Sequence, residues 1–227
     1  MDILESERPQ GIIVPGSSNI WKSVNVKGLT DLKENKYEKR DLLIRIGKEE
    51  FKRYGYEKAS LRQICKKADV TTGAVYFFFK NKADLFDAIV RDVAIELQSI
   101  IEDELKVAYN FSGTESGFSI RTECIRYFIE HRDEITILAF GSEGTKYEGY
   151  VKRIEDLITN RLMECIEEIT GKKIDRDIAY VIARQRIQCY SVLLDRYSNF
   201  EDAIGFLGYI RAYGIGGYNN LLEYINK

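Results

Sequence analysis

Proline is nearly absent from this 227-residue chain. Both copies, Pro9 and Pro15, stand near the start, so about two hundred residues run on without the commonest helix breaker. Cysteine is scarce and dispersed: Cys65, Cys124, Cys165 and Cys189 form no CxxC pair, and each sits in a helix-like apolar pattern. That distribution points to buried free thiols rather than a disulfide framework. His131 is the lone histidine and has no cysteine or carboxylate at ligand spacing around it, so a helix-end or core role is expected, with no metal and no other cofactor. No apolar run approaches the roughly 18 to 20 residues that a membrane span needs, and the N-terminus lacks the basic-then-apolar pattern of a secretory signal. A cytoplasmic protein with no membrane partner is the expectation. GxSxG, P-loop, HExxH and paired-carboxylate patterns are all missing, so no catalytic residue is nominated and an enzyme is not expected.

What is present is enough apolar material for a core, 44% of residues, in patterns of helical period with no strand-like alternation. The expected class is all-α. Net charge is only −2, but residues 36–82 carry 13 Lys and Arg against 6 Asp and Glu, while residues 83–227 sum to −8. A basic block on an acidic body is the electrostatic footprint of a nucleic-acid-binding head. Residues 1–35, with both prolines, a PGSS turn signal and Trp21, read as an irregular arm.

From Lys36 a helical stripe runs through Leu43, Ile46, Gly47, Phe51 and Tyr54 and stops at Gly55, the residue expected for a left-handed cap. Ser60 can cap a second helix over about 61–68, and Thr71 a third, very short one with Val75 and Phe79 on its buried side. The second and third helices are joined by three or four residues, the spacing of a helix-turn-helix. In such a pair the second helix enters the major groove by its N-terminus, so its opening residues must be small or polar. Thr71, Thr72, Gly73 and Ala74 meet that demand. Asn81 with Asp84 then reads as the start of a long helix, "TKYE" at 145–148 as the opening of one that ends at Gly171, and the last two helices as about 175–197 and 199–225, the latter behind "SNFE" at 198–201.

The stretch "GYEKASLRQICKKADVTTGAVYFFFKNKADLF", residues 55–86, resembles the DNA-binding domain of the TetR family of bacterial transcription regulators. Gly55, Tyr56, Ser60, Ile64, Ala68, Val70, Thr71, Gly73, Val75, Tyr76, Phe79, Asn81, Lys82 and Leu85 fall on the family's pattern. The resemblance implies a helix-turn-helix domain over 36–84, after the 1–35 arm, and a helical ligand-binding and dimerization domain over 85–227. It implies that Ser60 bonds a phosphate, that Thr71, Thr72, Gly73 and Ala74 face base edges, and that Tyr76 and Lys82 meet phosphates. Three departures stand out. Asp69 replaces the usual turn glycine and is expected in a left-handed conformation or in a different turn. Phe77, with Phe78, stands where the family often has a ring with a polar tip, so Phe77 is expected to pack on sugar or a thymine methyl. Gly47 and Glu50 replace common Ala or apolar positions, with slightly looser packing as the expected cost.

In the second domain Tyr109, Phe118, Tyr127, Phe128, Tyr147, Tyr150, Tyr180 and Tyr190 are candidates to line an apolar pocket with polar tips, although aromatics at helical spacing are also ordinary core. The last two helices carry Leu193, Leu194, Leu207, Ile210, Ile215 and Leu222, with Gly205, Gly208, Gly214, Gly216 and Gly217 among them. Each glycine costs a helix roughly 1 kcal/mol relative to alanine, so a close helix approach across a homodimer interface is the expected compensation. The expected function is a DNA-binding regulator, most simply a repressor that holds a pseudo-palindromic double-stranded operator as a dimer and is released by a small-molecule effector. The alternative is a helical ligand-binding or protein-interaction module that has lost specific DNA binding.

Overall fold

The computed structural model of the chain describes residues 26–108 and 121–227, with side chains over 36–106 and 121–227. Among the described residues there are nine helices and no strand: α1 (Val26–Lys58), α2 (Leu61–Lys67), α3 (Thr72–Phe78), α4 (Lys82–Ala108), α5 (Thr122–Glu130), α6 (Arg132–Phe140), α7 (Tyr150–Thr170), α8 (Arg176–Arg196) and α9 (Phe200–Asn226). Residues 40–227 form one compact unit, and the helix-turn-helix lies within it. The expected boundary between residues 84 and 85 falls in the first turn of α4, which runs through it unbroken. α1 begins at Val26, ten residues before the expected start, because the breaker signals of the arm all lie upstream. The rest of that arm, and Tyr109 and Phe118, lie outside the described residues.

Local chemistry explains most helix ends. Gly55, at φ 70 and ψ 169, breaks α1 in a conformation open mainly to glycine. Ser60 accepts from Gln63 N at 3.4 Å and Thr71 from Ala74 N at 3.2 Å, capping α2 and α3 as expected. Between them Asp69 takes a left-handed φ of 52, so the turn keeps its shape with Asp in the glycine position. Asn81 caps α4 through Asp84 N at 2.9 Å, and the Asp84 carboxylate answers on the N–H of Lys80 at 2.9 Å. The expected helix start at Thr145 is instead a turn. Tyr147 N donates to Thr145 Oγ1 at 3.0 Å, left-handed Gly149 redirects the chain, and α7 begins at Tyr150 before ending, as expected, at Gly171. For α9 the capping side chain is Asn199, which accepts from Asp202 N at 2.9 Å, rather than Ser198.

The core is one apolar cluster that passes from the head into the body along α4. Phe86 on α4 meets Phe51 and Tyr56 edge-on, with ring centroids 5.1 and 5.3 Å away. The loose packing expected at Gly47 and Glu50 is not found. A Cβ on Gly47 would stand 3.2 Å from both Ile89 Cδ1 and Leu85 Cδ2, so glycine here lets α1 and α4 close together. Glu50 is 3% exposed and satisfied: Lys67 Nζ donates to it at 2.8 Å and Ser60 N at 3.4 Å, so this carboxylate ties α1 to the start and end of α2. The thiols are all free, three of them buried and Cys189 half-buried.

Candidate nucleic-acid interface and inner cavity

The geometry of α3 follows from its seven residues. Val75 is fully buried and, with Phe79 just past the helix end, anchors α3 on the core. One turn away, Thr71, Thr72 and Gly73 are exposed and Ala74 half-buried, so the N-terminal turn of the helix stands clear of the body. Tyr76 is 54% exposed and Phe77 68% exposed on the same short helix, while Phe78 is half-buried and meets Phe77 edge-on at 5.1 Å. Gly73 has no close neighbour that excludes a side chain, the nearest atom to an added Cβ being Thr71 Oγ1 at 3.9 Å. Its lack of a side chain therefore serves nothing inside the subunit. Around this helix lie exposed Arg62, Lys66 and Lys80.

Lys82 is placed differently from a free phosphate clamp. Its Nζ donates to the carbonyls of Tyr56, Ala59 and Glu57 at 2.7, 3.1 and 3.2 Å and sits 4.4 Å from the centroid of the Tyr56 ring. Three carbonyls match the three donors of an ammonium, so this lysine fixes the turn between α1 and α2 and, through it, Ser60. The Ser60 and Thr71 oxygens accept cap bonds, which leaves each hydroxyl a donor to offer at a helix start.

Helices α4, α5, α6, α7 and α8 of the body line a partly open cavity of about 80 Å³. Of the six described aromatic candidates, Phe128, Tyr150 and Tyr190 line it and three do not. Tyr127 meets the His131 ring at a tilt at the α5–α6 junction with centroids 4.3 Å apart; Tyr147 donates to Asp87 at 2.6 Å; Tyr180 donates to Glu155 at 3.4 Å. The cavity wall is otherwise aliphatic, with Leu97, Ile101, Ile154 and Ile158 prominent. Two charged side chains reach it. Glu104 is buried and held by Arg121 Nε, by Arg121 N at 3.3 Å and by the Cys124 thiol at 3.2 Å, while burial, then that carboxylate, pushes the thiol up to about 12. Arg186 is 7% exposed, and its Nε donates to the Tyr190 hydroxyl at 3.3 Å. Both were missed in the sequence. Arg186 carried a signal, since it falls on the stripe of Ala179, Ala183, Tyr190, Leu193 and Leu194, where a charge has no ordinary reason to be.

On the last two helices, Leu193, Leu194 and Leu207 are buried in the chain's own core, so they support their own helix pair rather than an exposed face. Ile210, Ile215 and Leu222 are half-buried. Instead α9 exposes Tyr209 (82%), Tyr213 (76%) and Tyr224, and added Cβ atoms on Gly205, Gly208, Gly216 and Gly217 would meet nothing within 4 Å. The helix cost of these glycines is not offset inside the subunit.

Near α1 the head is seated on the body by Lys48–Glu134 at 2.7 Å and Lys52–Asp133 at 2.5 Å, both from α1 to α6. Behind them, Lys146 Nζ, Tyr147 Oη and Arg91 converge on Asp87 of α4. Among the described residues no group of His, Cys, Asp and Glu could hold a metal, and no helix is long and apolar enough to cross a membrane.

Comparison with known proteins agrees with this geometry. Residues 43–89 match the family model described as bacterial regulatory proteins, tetR family. The chain is 27% identical over 150 residues to the HTH-type transcriptional regulator AcrR of Shigella flexneri, covering 60% of this chain and 67% of that protein. It is 27% identical over 74 residues to the uncharacterized HTH-type transcriptional regulator YhgD of Bacillus subtilis (strain 168), covering 33% of this chain and 39% of that one. A solved Clostridium perfringens protein described as a fatty acid metabolism regulator aligns with a TM-score of 0.51 at 16% identity, over 76% of this chain and 97% of that one, a likeness of fold.

Proposed function

We propose that the chain, which matches the tetR family of bacterial regulatory proteins over residues 43–89 and is similar to transcriptional regulators rather than to enzymes, is a homodimeric repressor released from a pseudo-palindromic operator by a small-molecule effector. The observation that carries this reading is the exposed N-terminal turn of α3, Thr71 to Gly73, held out from the body by buried Val75 and Phe79. Small and polar groups there can reach base edges, and Tyr76 and Phe77 extend the same surface toward sugar and phosphate. The excess of seven positive charges over residues 36–82 supplies the attraction that is independent of sequence. Lys82 contributes by positioning: it holds the turn that presents Ser60.

A dimer through α8 and α9 places two copies of α3 in successive major grooves, one helical turn apart. The exposed tyrosines and glycines of α9 suit that contact better than Leu193, Leu194 and Leu207. The effector occupies the inner cavity and binds best when the two heads are mis-spaced, so that linkage weakens DNA affinity. The decisive experiment is selection of DNA from a random library by the full chain, followed by titration against salt. Enrichment of an inverted repeat, with log affinity falling steeply against log salt, is the expected result. No enriched repeat, or a flat salt response, would overturn the operator reading and leave a ligand-binding module.

A further inference from the structure

The polar side chains described on the wall of the inner cavity are bonded within the chain. Glu104 accepts from Arg121 Nε, from Arg121 N at 3.3 Å and from the Cys124 thiol at 3.2 Å. Arg186 donates through Nε to the Tyr190 hydroxyl at 3.3 Å and has a further partner. The Ser191 hydroxyl donates to Ile187 O at 3.1 Å, one turn back along α8, and the Tyr150 hydroxyl donates to Ala94 O of α4 at 3.4 Å. The polar tips expected of such a pocket are thus committed to the protein, and both charges on the wall already have partners.

The rest of the wall is hydrocarbon, chiefly Leu97, Ile101, Ile135, Ile154 and Ile158. Such a surface gives water few partners and gives a hydrocarbon many. A charged ligand meets the opposite balance. To enter, an ion must shed its hydration in an apolar space, or draw a partner away from Glu104 or Arg186 and leave another group unpaired; both oppose binding. The penalty applies to either sign of charge. An uncharged molecule meets neither obstacle, and each methylene that it moves out of water tightens binding about fourfold. Size follows from volume. The cavity measures about 80 Å³, and a water-sized group takes roughly 10–15 Å³ in the same measure, so roughly five to eight such groups fit. Phe140, on the wall yet 59% exposed, marks the open side.

We propose that the cavity takes an uncharged, largely apolar molecule of about five to eight non-hydrogen atoms, held by its hydrocarbon surface and by no ion pair. The proposal rests on the effector reading above and narrows it to a ligand class, from which organic ions of either sign are excluded.

Titration calorimetry on the full chain without DNA tests this with 1-hexanol, hexanoate and hexylammonium, which share one hydrocarbon chain and differ in charge. 1-Hexanol is expected to bind saturably with one site per chain, at least tenfold more tightly than either ion. Across straight-chain alcohols from 1-butanol to 1-decanol, affinity should rise about fourfold per methylene and level off once the cavity is full, at about five to eight carbons. Ala139→Leu, which adds bulk to the wall from α6, should move that limit to a shorter alcohol. No binding of 1-hexanol, a preference of less than tenfold over either ion, or an affinity that keeps climbing through 1-decanol would overturn the proposal in the unaltered protein, whatever the variant does. A parallel operator titration separates the two readings. 1-Hexanol that binds without weakening the operator complex would refute the effector role and keep the ligand class, whereas an operator complex released by hexanoate or hexylammonium and untouched by 1-hexanol would refute only the ligand class.

Discussion

The main-chain N–H of Tyr56 donates to the carbonyl of Gly141 at 2.8 Å, seating the end of α1 directly on the end of α6. The contact is close because both sides are glycine. A Cβ on Gly141 would stand 3.4 Å from Gly55 Cα, 3.5 Å from Phe51 O and 3.1 Å from Ile137 O, all main-chain atoms with little room to yield. On its other face α6 lines the cavity through Ile135, Ala139 and Phe140. One nine-residue helix thus touches both the head and the inner space. Gly141→Ala should destabilise the chain by about 1–3 kcal/mol, the usual cost of overpacking. Denaturant unfolding with unchanged m-value checks it; unchanged stability would show that the head can shift freely on α6.

Gly73 should separate stability from function. Nothing in the subunit crowds an added methyl there, and alanine is the better helix former by roughly 0.5–1 kcal/mol. Gly73→Ala should therefore raise the melting temperature while weakening binding to the selected operator, because in the proposed readout the methyl would stand where the backbone nears the bases. A variant that is more stable and binds DNA equally well would place α3 farther from the groove.

The local signals were the legible ones. Gly55, Ser60, Thr71, Asn81 and Gly171 break, begin or end helices by short-range rules of capping and φ, and each does so at the expected position. Three-dimensional pairings could not be read the same way. Whether Tyr147 lines a cavity or bonds Asp87 depends on how the turn before α7 lies against α4, which no spacing within 145–150 encodes. Likewise the leucines of α8 and α9 have the same periodicity whether they face their own body or a second copy, and only the packed subunit shows Leu193 and Leu207 turned inward. Glu50 illustrates the converse, a charge at an apolar position whose partners, Lys67 and Ser60 N, come from a different helix.

The proposed dimer contact can be tested on a surface that the chain's own packing does not use. Gly208 faces open space on α9, beside exposed Tyr209. Gly208→Leu should leave the fold intact, and even favour the helix, yet hold two copies of α9 apart. Light scattering is expected to give the mass of a monomer for this variant and of a dimer for the parent chain. A dimeric variant would move the interface elsewhere.

Alkaline pH should unfold the protein through groups that burial keeps neutral. Burial pushes the Tyr150 and Tyr127 phenols up to about 12, the Cys124 thiol up to about 12 and the Cys165 thiol up to about 11. In each case the folded value exceeds the unfolded one, about 8.5 for a thiol and about 10 for a phenol. Their contribution is therefore complete below about pH 8.5 and is lost as pH rises toward 11–12, because the unfolded chain gives up its protons first. Melting temperature should fall steadily over that window. Tyr150→Phe removes one such group along with a long hydrogen bond to Ala94 O at 3.4 Å, so its melting curve should depend less on pH above 10. An unchanged slope would mean that this phenol is reached by solvent.

Phe77 is the residue at which the head departs furthest from the family's usual surface, and its exposure makes the cleanest test of what α3 touches. A ring 68% exposed contributes little to the core, and its T-shaped contact with Phe78 is partly open to solvent. Phe77→Ala should change folding stability by no more than about 0.5 kcal/mol, the usual range for surface sites. If the ring packs on a sugar or a thymine methyl, the same change should cost operator affinity, and the loss should be concentrated in sites that carry thymine at one position. Phe77→Tyr keeps the ring and adds a hydroxyl able to reach a phosphate, so it should restore the affinity with less preference for that base. Binding across a panel of single-base operator variants measures both effects. Equal binding by all three proteins would show that Phe77 lies outside the interface and that readout ends with the first turn of α3.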